Sequence, residues 1–195
     1  MNKAIFLILL FIFVSTSYSQ KSETLYSLNA FLGLGYAYDY VPFEYEYGSL
    51  NRGGLQGYLR VMWKPEYLLS GGIEFGYTSV YSVEENNIQT TSGTTNLKTN
   101  VYAYPLMIVF SMPIINNWDI NAGTGYAFSV VKNESFGQES FSSDPASTFM
   151  LSTAYYWPVM KNSNLGVELR WTALPKYSDY LIALSASFAY KFLEY

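Results

Sequence analysis

The 195-residue sequence has no cysteine and no histidine. The first absence removes any disulfide framework, so stability must come from backbone pairing and side-chain packing. The second removes the usual general base and the commonest transition-metal ligand, and the two together argue against zinc or copper. Charge is also sparse, at 13% of residues. Beyond the first 19 residues, no apolar run reaches the roughly 20 residues that a membrane-spanning helix needs. A cofactor, a metal centre and an enzymatic activity are therefore not expected.

The start of the chain reads as a secretory signal peptide over residues 1–19. Lys3 is followed by the apolar run Ala4 to Val14, then by Ser17-Tyr18-Ser19 before Gln20. An uncleaved anchor is the alternative; a lipoprotein anchor is excluded because no cysteine follows. Residues 20–195 have the size of one domain. Without Lys3 they carry ten basic and fifteen acidic side chains, a net charge of −5, which argues against a nucleic-acid partner.

What the chain does have is aromatic and alternating. It carries 20 tyrosines and 13 phenylalanines, residues that favour strands. Eight strands are predicted, at Leu25–Tyr38, Gly54–Trp63, Tyr67–Tyr81, Thr99–Met112, Trp118–Lys132, Thr148–Trp157, Leu165–Leu174 and Tyr180–Phe192. The breaks after the second, fourth and sixth are short, and those after the first, third and fifth are long and polar.

Alternation assigns the faces. Leu55, Leu59, Val61 and Trp63 oppose Gln56, Tyr58, Arg60 and Met62, and Leu165, Val167, Leu169 and Trp171 oppose Gly166, Glu168, Arg170 and Thr172. The apolar sets carry no charge, so they face lipid and the polar sets face a lumen. The fold class predicted is all-β: an eight-stranded antiparallel transmembrane up-and-down β-barrel, with tight turns in the periplasm and long loops outside. Trp63, Trp118 and Trp157 lie beside the short breaks and form a predicted periplasmic-side aromatic girdle. Pro105 interrupts the fourth strand, where a closed barrel has no free edge, and predicts a bulge there, the alternative being that the strand begins at Leu106.

With its signal peptide, eight strands, Gly-rich first strand Asn29–Tyr36, strand Tyr102-Ala103-Tyr104-Pro105-Leu106 and aromatic last strand, the chain resembles the small eight-stranded outer-membrane β-barrel domains, the group that includes OmpX-like and OmpW-like proteins. The resemblance covers the whole exported chain. It implies the outer membrane, with outer-membrane lipid, lipopolysaccharide and the barrel assembly machinery as partners. It also implies an aromatic near the C-terminus as an assembly signal, but Phe188, Tyr190 and Phe192 share one parity and Tyr195 the other. Barrels of this size that act on lipid A use a histidine with a serine, a pairing this sequence lacks.

The candidate site is a polar network in the lumen, formed by Arg60, Glu74, Glu168 and Arg170. Pairing across the Pro65-Glu66 turn would put Arg60 opposite about residue 71, with Glu74 on the diagonal. Two positive and two negative charges can neutralise one another, as buried charges must. They fit a structural plug or a proton-sensitive gate. Glycosidase chemistry by the two glutamates lacks a sugar cleft.

Glycines 33, 35, 72, 76, 123, 125 and 166 fall on the lumen face, opposite bulky residues such as Tyr58, Met107 and Tyr156. In the long breaks, Glu44, Glu46, Glu84, Glu85, Glu134, Glu139 and Asp144 outnumber Arg52, Lys98 and Lys132. They are a solvated surface or an acidic rim beside lipopolysaccharide. The alternation from Tyr38 to Tyr47 extends the first strand as an aromatic girdle or an edge for a surface protein. The function expected is a non-enzymatic outer-membrane barrel with a polar-filled lumen, serving envelope integrity or surface interaction. The alternative is a narrow channel or transporter for a small hydrophobic ligand.

Overall fold

The computed structural model describes residues 26–40, 49–65, 68–90, 93–135, 138–177 and 179–195, without side chains at 86–90, 93–95, 138–139 and 177. The predicted signal peptide, the aromatics Phe43, Tyr45 and Tyr47 and the carboxylates Glu44 and Glu46 lie outside the described residues.

The strands in chain order are β1 (Ser27–Asp39), β2 (Ser49–Asn51), β3 (Gly53–Lys64), β4 (Ser70–Thr90), β5 (Gly93–Ile115), β6 (Trp118–Ser135), β7 (Gln138–Met160), β8 (Ser163–Leu174) and β9 (Asp179–Glu194). Eight of them pair antiparallel in sequence order; β1 meets β9 and β4 meets β5, which closes the ring, while the short β2 adds to the outer part of β4. Paired residues followed once around, from Asn29 through Met62, Gly72, Val109, Gly123, Met150, Thr172 and Leu181, return to β1 at Asp39. This ten-residue stagger is the shear of a tilted, closed barrel.

Hydrophobic exposure is inverted relative to a water-soluble barrel. Leu34, Leu55, Ile73, Ile108, Leu151, Leu169 and Leu184 all point outward and are exposed, while Arg60, Glu74, Glu168 and Arg170 are buried. A sheet closed on itself satisfies its own backbone groups, so lipid can cover this outer face. Trp63, Trp118 and Trp157 are exposed at the short-turn end. Trp118 donates to the Thr153 hydroxyl, and Tyr155 packs edge-on against both Trp118 and Trp157. At the other end Trp171 stacks on Tyr180 and donates to the Tyr40 hydroxyl at 3.0 Å, a second girdle.

Several expectations need correction. The long polar breaks after the predicted third and fifth strands are largely strand: β4 and β5 stay paired to Thr90 opposite Gly93, and β6 and β7 to Ser135 opposite Gln138. Glu84, Glu85, Glu134, Glu139 and Asp144 are therefore on strands. Among the described residues the wall is tallest along β4–β7, since β8 joins β7 only from Phe149 onward. The break after β8 contains a 3₁₀ turn, Pro175–Tyr177.

No bulge occurs at Pro105. The β4–β5 ladder skips Gly76 and Tyr77 and resumes in the same register at Thr78 opposite Ala103; the shift comes later, between Ser79 and Tyr81. Glycine makes this possible: a Cβ on Gly76 would lie 3.1 Å from the Pro105 ring. Crowding also explains Gly33, where a Cβ would fall 2.1 Å from the Tyr58 ring. The parity of Tyr195 is reset by a bulge. Leu28 pairs with Leu193 but Asn29 with Lys191, so Phe192 is the extra residue. Tyr195 thereby joins the outward face, exchanging two backbone hydrogen bonds with Tyr26 and stacking on its ring, which in turn stacks on Trp63.

Candidate functional site: a charge quartet across the lumen

β3 delivers Arg60, β4 delivers Glu74, and β8 delivers Glu168 and Arg170, each flanked by lipid-facing residues. Arg60 is directly opposite Glu74, not opposite residue 71. Residues directly opposite share a face, so an inward arginine cannot face the outward Gly71; the chain reaches Ser70 before β4 begins, and the register follows.

The four side chains come together. Arg60 donates from Nε to Glu74 Oε2 at 2.7 Å and from Nη2 to Glu168 Oε1 at 3.0 Å. Arg170 donates from Nη1 to Glu74 Oε1 at 2.7 Å, and from Nη2 to Glu74 Oε2 at 3.0 Å and Glu168 Oε1 at 2.8 Å. Tyr58 donates its hydroxyl to Glu168 Oε2 at 2.6 Å. Every carboxylate oxygen thus accepts at least one charge-assisted or phenolic hydrogen bond, and the quartet is neutral. No member is more than 2% exposed. Charges this shielded persist only when paired and hydrogen-bonded.

Tyr58 is a fifth member, treated in the sequence only as bulk. Its ring also carries both cations, with Arg170 Cζ 4.2 Å and Arg60 Cζ 4.9 Å from the ring centroid. The available signal was its lumen parity two residues before Arg60.

Buried apolar side chains lie on either side of the quartet. Phe31, Met62, Met107, Val109, Met150 and Tyr156 form one buried cluster with Tyr58, and Val80, Val101, Ala103, Ala127, Leu174 and Leu181 form another toward the outer mouth. Among the described residues, no three carboxylates gather as a metal site would require. Both glutamates are engaged by arginines, so neither is placed as a free general base.

Ion pairs also occur on the tall wall. Lys98 meets Glu84, Lys132 meets Glu134 at 2.6 Å, and Lys176 meets Asp144. The hydrogen bond to Glu84 holds the Lys98 ammonium above the usual lysine range, and that from Lys132 holds the Glu134 carboxyl below the usual carboxylate range.

No protein-family model matches the sequence, and neither does any curated protein. Solved structures do. The attachment invasion locus protein Ail of Yersinia pestis, solved with the heparin analogue sucrose octasulfate, superposes with a TM-score of 0.51 at 10% identity, over 88% of this chain and 100% of that one. Neisserial surface protein A gives 0.50 at 13% identity, with the same two coverages. A major outer membrane protein of Thermus thermophilus gives 0.54 at 11% identity, over 86% of this chain and 99% of that one. The fold is that of the small outer-membrane β-barrel proteins, and the uncharged apolar belt between the girdles suits it to a lipid bilayer.

Proposed function

We propose that the chain is a non-enzymatic barrel with a closed lumen, whose tall outer wall serves envelope integrity or surface interaction. The buried quartet carries this reading: it crosses the lumen from β3 and β4 to β8 with no charge left over. Eight strands leave an interior that side chains can fill. The polar wall from β4 to β7 is the part positioned to meet lipopolysaccharide or another surface molecule. Export through a leader over residues 1–19 and insertion by the barrel assembly machinery complete the proposal.

A narrow channel for small hydrophobic molecules is the competing reading. The apolar cluster toward the outer mouth favours it, but a ligand entering there would still meet the quartet.

Single-channel recording of the refolded barrel in a planar bilayer separates the two. A silent barrel that begins to conduct ions on Arg60→Ala supports the plug. Steady conductance of the unaltered chain, blocked by small hydrophobic compounds, would replace the plug with the channel.

A further inference from the structure

At the short-turn end, three bulges have the same effect on the chain. Strand alternation normally sends only one of two neighbouring side chains outward. The register shifts between Pro113 and Ile115, between Pro158 and Met160, and at Phe192. At each shift two consecutive apolar residues are exposed: Ile114 and Ile115 at 44% and 64%, Val159 and Met160 at 53% and 75%, and Phe192 and Leu193 at 48% and 46%.

The first two sites also repeat in sequence. Pro113-Ile114-Ile115-Asn116-Asn117 and Pro158-Val159-Met160-Lys161-Asn162 each place a proline and two large apolar residues before a two-residue polar turn. A bulge gives up regular ladder pairing. Turning a second apolar side chain into water would add a further cost, whereas in lipid it is favourable. The dyads also continue the lipid-facing belt, directly below Met112, Trp157 and Tyr190. Lys161 follows Met160 at the turn, where an ammonium can reach a lipid phosphate.

We propose that these bulged dyads insert into the phospholipid leaflet at the short-turn end and set how deeply the barrel sits. The turns at Asn116-Asn117 and Lys161-Asn162 then lie among the headgroups, and the lipid boundary lies beyond Trp118 and Trp157. The partner is the lipid surface itself.

The absence of cysteine makes the test direct. Ile115→Cys, Met160→Cys, Asn116→Cys and Lys161→Cys are refolded singly into nanodiscs of phosphatidylethanolamine and phosphatidylglycerol, then treated with a charged, membrane-impermeant thiol reagent. Ile115→Cys and Met160→Cys should react about ten-fold or more slowly than the turn positions, as expected for side chains held in the headgroup–acyl boundary. Equal rates would overturn the proposal, and so would protection that appears only when periplasmic protein is added. Should either variant fail to refold, Ile114→Cys and Val159→Cys report on the same dyads.

Discussion

The lumen and the outer wall use the same ion-pair chemistry in opposite surroundings. Glu74 and Glu168 are fully buried and each meets two arginines, whereas Lys98 and Glu84 pair with nearly half of each side chain open to solvent. In the lumen each member of the quartet is at most 2% exposed, so a lost partner is expected to be replaced poorly by water and the four charges to act as one unit. On the wall water can substitute for either partner, so neighbouring pairs such as Lys98–Glu84 and Lys132–Glu134, which lie side by side across β5 and β6, are coupled only weakly. Burial accounts for the several hydrogen bonds that each lumen glutamate accepts from the arginines, a demand that solvent relieves at Glu84. It also locates the charges whose removal should matter.

The largest expected effect is at Glu168, whose loss leaves Arg60 and Arg170 with one carboxylate between them. Breaking a buried pair by removing one partner typically costs about 3–5 kcal/mol, and Glu168→Ala should lower stability by that order in urea unfolding from lipid vesicles. Adding Arg60→Ala restores neutrality. The double variant should then lose less than the sum of the single variants, by about 0.5–3 kcal/mol. Additive losses would mean that the lumen admits enough water for the charges to act separately, and the comparison with the outer wall would fail.

Tyr58→Phe asks for less. It removes the hydroxyl that donates to Glu168 Oε2 and keeps the ring that lies against both guanidiniums. A hydrogen bond to a charged group contributes about 1.5–3 kcal/mol, so the same unfolding assay should place this variant between wild type and Glu168→Ala. An unchanged midpoint would show that Glu168 is satisfied by the arginines alone.

Which parts of this arrangement could be read from sequence follows from where the chain meets lipid. Between the girdles each strand has an apolar face, so Leu59 and Val61 reveal that Arg60 points inward, and Val167 and Leu169 do the same for Glu168. Above the outer girdle there is no lipid to select apolar residues. The stretches 85–90, 93–97, 133–135 and 138–147 therefore look like loops, although backbone pairing makes them strands. Register was harder to read because it depends on where each turn hands over to a strand; Arg60 faces Glu74 because β4 begins at Ser70. Bulges are hidden for a related reason. Parity counting places Tyr195 on the wrong face until Phe192 is recognised as the extra residue, and Pro105 suggests a bulge that Gly76 makes unnecessary.

The smallest effect is predicted at Lys98. Its ammonium is raised above the usual range by Glu84, but the pair is exposed to solvent, so the shift reflects local geometry and little stability is expected from it. Lys98→Ala should leave the unfolding midpoint where it is. Ionic strength then sharpens the contrast, because salt screens exposed charges over about 10 Å at 0.1 M and reaches shielded ones much less. Any destabilisation by Lys98→Ala should appear only at low salt, while that of Glu168→Ala should persist as salt is raised. If both variants lost their effect at high salt, the quartet would be as wet as the outer wall, and the closed lumen on which the proposed function rests would not hold.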